Sequence, residues 1–90
     1  MRATSTPQVM LYTTPHCPDC RTLKAWLVSQ GVAFVERDLA DPQVAKEAKA
    51  RYGVRVAPVT VVGEHVFYGR FEHQYPQLVD VLGMPRAGSN

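Results

Sequence analysis

Cys17 and Cys20 are the only cysteines in the chain, set one helical turn apart between an apolar, β-rich run, Val9-Met10-Leu11-Tyr12-Thr13, and an amphipathic one. A Cys-x-x-Cys that follows a strand and opens a helix is the sequence form of a thiol–disulfide redox centre. Pro18 suits the first helical position, where a missing N–H costs nothing and the fixed φ matches the helix. The spacing therefore predicts a helix from Pro18 with Cys17 at its N-terminus.

That placement has a chemical consequence. Unpaired N–H groups and the positive end of the helix dipole stabilise an anion, so a cysteine at a helix start loses its proton more readily than a free thiol with a pKa of about 8.5. Cys20 falls on the same helical face as Leu23 and Leu27 and is expected to be partly buried and less ionised. An exposed nucleophile beside a shielded thiol allows the first to attack a substrate disulfide and the second to resolve the mixed disulfide.

Two plainer readings compete with this one. Tetrahedral zinc usually needs two further ligands, yet only His16 is nearby, His65 and His73 lie far downstream, and no second Cys-x-x-Cys or His-x₃₋₅-His follows. No metal site is expected. A structural disulfide is a weak alternative as well, because a bridge closing so short a loop removes little chain entropy.

Ninety residues make one domain with a modest core. The net charge is +2, and the basic residues, among them Arg21, Lys24, Arg37, Lys46, Lys49, Arg51, Arg55 and Arg70, form no dense run, which gives no support to nucleic-acid or membrane binding. The polar start of the chain lacks the apolar core of a signal peptide, and no apolar stretch approaches the roughly 20 residues that span a bilayer. A cytoplasmic location is expected, where such a cysteine pair is more often catalytic than structural. The domain is expected over residues 9–84, with flexible tails at 1–8 and 85–90.

The helix from Pro18 is predicted to run to about Gln30, with Leu23, Trp26 and Leu27 in register and Gly31 closing it. Ala33–Asp38 reads as a strand, parallel to the first because a helix intervenes. Asp41-Pro42 signals an N-cap and first helical position, and the helix runs to about Tyr52, closed by Gly53. Pro58–Val62 and His65–Tyr68 are strands joined by Gly63-Glu64, a two-residue loop of the II′ kind. Gly69-Arg70-Phe71 reads as a break, and Pro76 is placed in the first turn of a last helix carrying Tyr75, Leu78, Val79 and Leu82, ended by Gly83 and Pro85. The expected class is α/β, in the order β-α-β-α-β-β-α.

These features together resemble a glutaredoxin-type member of the thioredoxin superfamily over about residues 9–82. The resemblance rests on the strand leading into Cys17-Pro18-Asp19-Cys20, the element order, and Val56-Ala57-Pro58 at the head of the third strand. It implies a thioredoxin-like fold with a four-stranded mixed sheet flanked by helices. It also implies a cis Ala57-Pro58 bond beside the redox cysteines, with the backbone just before that proline pairing with a bound substrate backbone or glutathione. Taken alone, Pro58 would be read as trans, since only about one X-Pro bond in twenty is cis.

The chain departs from the family where substrate is concerned. Glutathione-using members usually carry Lys or Arg three residues before the first cysteine, where this chain has Thr14, and a Gly-Gly with an acidic pair where it has Tyr68-Gly69-Arg70-Phe71-Glu72. The clamp for glutathione's carboxylates is thus incomplete, with Arg70, Arg55 and Arg21 as candidate substitutes. Small glutaredoxin-like proteins reduced directly by thioredoxin reductase, including electron donors of ribonucleotide reductase, share the Ala-Pro and the weakened clamp. Monothiol glutaredoxins that hold an iron–sulfur cluster fit less well, since they lack the second cysteine and have glycine where Pro18 stands.

The resemblance therefore implies a dithiol–disulfide oxidoreductase, with Cys17 and Cys20 catalytic and Pro18, Val56, Ala57, Pro58, Gly69 and Arg70 bordering the substrate. No tightly bound cofactor is expected; glutathione or thioredoxin reductase supplies electrons, disulfide-bearing proteins are the partners, and the protein is a monomer. The rival expectation is a binding module of the same fold, docking a partner or binding metal through its thiols without turnover. His16 is read as solvated or as a thiolate-stabilising neighbour, and Tyr12, Phe71 and Trp26 as packing residues. Asp19's negative charge is expected to oppose the helix dipole and raise the thiolate's energy.

Overall fold

A computed structural model describes residues 8–53 and 56–83. The elements run β1 (Val9–Thr13), α1 (Pro18–Ser29), β2 (Phe34–Asp38), α2 (Pro42–Tyr52), β3 (Val59–Val62), β4 (His65–Tyr68) and α3 (Phe71–Leu82). One four-stranded sheet has the order β2-β1-β3-β4, with β1 parallel to β2 and antiparallel to β3, and β3 antiparallel to β4. Gly63 starts the β3–β4 loop at φ 60, as a II′ turn requires, and among the described residues no non-glycine residue has positive φ.

Strand alternation sorts the core into two layers. Val9 and Leu11 of β1 and Val62 of β3 pack on one face with Leu23 and Leu27 of α1 and Leu78 of α3. On the other face Tyr12, Val59 and Val61 meet Val44 and Ala48 of α2. Each fully buried leucine contributes about 1.5–3 kcal/mol of transfer free energy, so the α1–sheet contact alone fixes where the helix start can sit. Polar pairs hold both flanking layers. Tyr12 donates to Glu47 Oε2 at 2.6 Å, Arg37 pairs with the other carboxylate oxygen of Glu47, and Lys24 of α1 pairs with Glu36 of β2 at 3.1 Å. Burial, reinforced by Glu47, pushes the Tyr12 hydroxyl above its ordinary range. The hydrogen bond from Tyr12, aided by Arg37, holds Glu47 below the usual carboxylate range.

Asp41 caps α2 by accepting from Gln43 N–H at 2.9 Å, with Pro42 following it and Gly53 closing the helix at φ 67. The last helix differs from expectation. It begins at Phe71, so Pro76 lies in its second turn rather than its first. A proline there forfeits one helical hydrogen bond and crowds the carbonyl four residues back, a cost of about 3 kcal/mol. Tertiary contacts in the turn before it offset that cost. Phe71 and Tyr75 meet Trp26 edge-on at 6.0 and 5.2 Å, and Gln74 and the Phe71 N–H both have hydrogen-bond partners outside α3. Pro85, the expected tail at 85–90 and all of the expected tail at 1–8 except Gln8 lie outside the described residues. Among the described residues no helix is long and apolar enough to cross a membrane.

Candidate active site at the start of α1

β1 ends at Thr13 and the chain turns through Thr14-Pro15-His16 into α1, which places Cys17 at the N-cap in extended conformation, φ −114 and ψ 106. Its Sγ accepts the Cys20 N–H at 3.1 Å, the bond that a serine or aspartate oxygen makes at most helix starts. Sulfur in that position sits among otherwise unpaired donors at the positive end of the helix, where negative charge is stabilised. Cys20 is 2% exposed, on the face of α1 that carries Leu23 and Leu27 into the core, while Cys17 is half-buried. The two sulfurs are joined in a disulfide, with Cα atoms 5.1 Å apart.

A cleft of about 250 Å³ reaches Cys20 from the β2 side, between the Thr13–Pro15 turn, Arg21 and Lys24 of α1, and Glu36 and Asp38 of β2. Thr13 donates to Glu36 at 2.7 Å, and this bond, with Lys24 behind it, holds the Glu36 carboxyl below its ordinary value against the opposing effect of burial. His16 is exposed beside Cys17. Among the described residues no cluster of three or more His, Cys, Asp or Glu is arranged to hold a metal.

Hydrogen bonds through α3 link this helix start to a wall built from the segment before β3 and the turn after β4. Val56 is 46% exposed, Ala57 is half-buried, Pro58 is buried, and the Ala57-Pro58 bond is cis, as the resemblance implies. Gly69 adopts φ 106, which disfavours any side chain although one would find room, and its N–H donates to the Pro58 carbonyl at 3.3 Å. Arg70 is the N-cap of α3, its side chain exposed and 3.9 Å from Glu72. Arg21 lines the cleft beside Cys20 and Arg70 is not among its walls, so the candidate substitute cations do not share a pocket there. Arg55 lies outside the described residues.

Two connections were not legible in the sequence reading. Arg70 offers no side-chain cap to α3; Asp19, between the cysteines, supplies it by accepting the Phe71 N–H at 3.2 Å. The carboxylate expected only to oppose the α1 dipole is thus also bonded to the start of another helix. Gln74, fully buried, donates its amide to the carbonyls of Pro58 and Gly69, both at 2.9 Å, and accepts from Thr60 at 2.6 Å. Its sequence signal is a polar residue on the stripe Phe71, Gln74, Tyr75, Leu78, Leu82, since an amide on an apolar face must find buried partners. The residues at 17–20, 58 and 69–71 are thereby tied together by hydrogen bonds.

The family profile described as Glutaredoxin matches residues 9–67. Over 42 residues the chain is 43% identical to the global transcriptional regulator Spx of Bacillus subtilis (strain 168), covering 46% of this chain and 32% of that protein. The chain spans about a third of that relative's length. Among solved structures, the glutaredoxin-like protein NrdH-redoxin from Escherichia coli is 25% identical with a TM-score of 0.69, covering 88% of this chain and 97% of that one. A glutaredoxin from Brucella melitensis is 30% identical with a TM-score of 0.66, covering 88% and 90%. Because the profile runs through most of the chain and takes in both cysteines and Pro58, the chain belongs to the glutaredoxin family of thiol–disulfide oxidoreductases.

Proposed function

We propose that the protein is a dithiol electron carrier that reduces protein or low-molecular-weight disulfides, with Cys17 as nucleophile and Cys20 as resolving thiol. The observation that carries this is the asymmetry of the pair: Cys17 caps α1 through its sulfur while Cys20 is 2% exposed. In the reduced protein the Cys17 thiolate attacks one sulfur of a substrate disulfide. A Cys17–substrate mixed disulfide forms, and the other substrate sulfur leaves as a thiolate and takes up a proton. Cys20, giving up its proton to solvent, then attacks the Cys17 sulfur, closing the Cys17–Cys20 disulfide and expelling the second substrate thiol. Two electrons pass to the substrate. Pro18, Val56, Ala57, Pro58, Gly69 and Arg70 border the groove in which the disulfide lies. Such a carrier works as a monomer, without a bound cofactor, in a reducing compartment such as the cytoplasm.

Thioredoxin reductase is a better fit than glutathione as electron source. Thr14 stands where a glutathione-clamping cation would be, and the first N–H of α3 is already taken by Asp19. A carboxylate that loses a charge-assisted partner gives up roughly 1.5–3 kcal/mol per hydrogen bond. The NrdH-redoxin that resembles this chain is described as having a thioredoxin-like activity profile, which agrees with this reading. Parallel recycling assays, one with glutathione and its reductase and one with thioredoxin reductase, test it. Turnover is expected in the second. Fast turnover with a glutathione KM in the low-millimolar range or below, an order of magnitude set by the lost carboxylate contacts, would place the protein in the glutathione-dependent class instead.

A second reading has one observation in its favour. The 42-residue similarity to a transcriptional regulator suits a fold used to dock a partner without turnover. Partner binding that survives in a protein inactive in both assays would select that reading.

A further inference from the structure

We propose that Gln74 is a positioning residue for disulfide exchange, a clamp that fixes the two sides of one wall of the substrate groove, Pro58 and Gly69, relative to each other. This rests on the oxidoreductase reading above. Gln74 comes from α3, outside both the redox motif and the segment that carries Pro58, yet both N–H groups of its side-chain amide are used at the groove. Both N–H bonds of the amide go to groove carbonyls, Pro58 and Gly69, at 2.9 Å each, and its oxygen is held by Thr60 at 2.6 Å. The side chain is fully buried, and its bonds to Thr60 and the Pro58 carbonyl are buried with it, so an amide is needed there to satisfy them. The Pro58 carbonyl also accepts the Gly69 N–H, which makes the two sides a closed loop of bonds around one amide.

The position is restrictive. The Pro58 and Gly69 carbonyls only accept, so the amide nitrogen must face them, and its oxygen is then left to accept the Thr60 hydroxyl. A glutamate there would present an oxygen to two carbonyl oxygens, and an aliphatic side chain would leave the Gly69 carbonyl without its amide donor. The first turn of α3 is held to the redox helix independently, through Asp19 and the Phe71 N–H at 3.2 Å. Gln74 therefore sets where the Pro58 side of the groove stands while the cysteine side is set by α1. Its loss is expected to weaken substrate capture without altering the thiol chemistry of Cys17.

The test compares Gln74→Met, Gln74→Asn and Thr60→Val, with a disulfide-bridged fluorogenic peptide as substrate and dithiothreitol as reductant. Thr60→Val removes the bond to the amide oxygen and leaves both clamp bonds, so it matches the loss of stability without loss of the clamp. Gln74→Met is expected to raise KM roughly tenfold, the equivalent of about 1.4 kcal/mol, with kcat and the alkylation rate of reduced Cys17 within about twofold of wild type. Gln74→Asn, a methylene too short to reach both carbonyls, raises KM severalfold, and Thr60→Val leaves it unchanged. Amide hydrogen exchange at Gly69 reads the clamp without turnover: about tenfold faster in Gln74→Met and Gln74→Asn, unchanged in Thr60→Val. A wild-type KM and wild-type Gly69 exchange in the folded Gln74 variants, or the same changes in Thr60→Val, would overturn the clamp. An inactive wild-type protein would instead overturn the oxidoreductase reading, with Gly69 exchange still deciding the clamp.

Discussion

Replacing Asp19 separates two roles that one carboxylate plays at the redox centre. Its Oδ1 accepts the Phe71 N–H at 3.2 Å in a part-buried setting, and the N-cap residue of α3, Arg70, has no side-chain bond to offer instead. Loss of an N-cap acceptor costs about 1 kcal/mol, and in a domain of this size about 1 kcal/mol moves Tm by roughly 4–8 °C. Asp19→Ala should therefore melt about 4–8 °C lower. Asp19→Asn keeps an oxygen for the N–H and loses only the charge–dipole part, about half of that shift or less. The charge has a second effect. A carboxylate near the Cys17 thiolate disfavours it, so its removal lowers the Cys17 pKa. Both variants should show that drop, read from the ultraviolet absorbance of the thiolate against pH. Thermal melts of the oxidised proteins read the cap. Equal Tm losses in the two variants, or a Cys17 pKa that rises in either, would refute the reasoning.

Other expectations follow from the same packing. Leu27→Ala empties a fully buried site between α1 and the sheet and should cost about 3 kcal/mol, lowering Tm by roughly 12–24 °C. Glu36 and Glu47 both have carboxyls held below their ordinary values, so their stabilisation is complete above the unfolded carboxyl pKa of about 4.3 and is lost as pH falls through the folded values. Denaturant unfolding across acid pH should show that decline, and Thr13→Val, which removes the leading cause at Glu36, should make it shallower. Thr14→Lys should lower the glutathione KM severalfold in the recycling assay, because it restores a cation three residues before Cys17.

Much of this was open to a reader of the sequence, for identifiable reasons. The Cys17 N-cap, Pro18 at the first helical position and the Asp41-Pro42 start of α2 are local signals, and local signals survive folding. The strand assignments followed apolar runs bounded by Gly63 and Gly69. The start of α3 was not legible, because Pro76 is a strong local boundary signal and the contacts that override it come from elsewhere in the chain: Trp26, Asp19, and the Pro58 carbonyl. Asp19 itself could be assigned a charge from sequence but not a partner 52 residues away. Gln74 was hidden for the same reason, since its three partners come from β3, the residue before it and the turn after β4.

The direct test of the central claim is competitive alkylation of the reduced protein. With limiting iodoacetamide near neutral pH and the product mapped by mass spectrometry, label should accumulate first on Cys17, whose sulfur caps α1, and only slowly on the buried Cys20. Cys20→Ser should then trap a mixed disulfide with substrate through Cys17, while Cys17→Ser forms none. Preferential labelling of Cys20, or a mixed disulfide formed by Cys17→Ser, would contradict the assignment of nucleophile and resolving thiol.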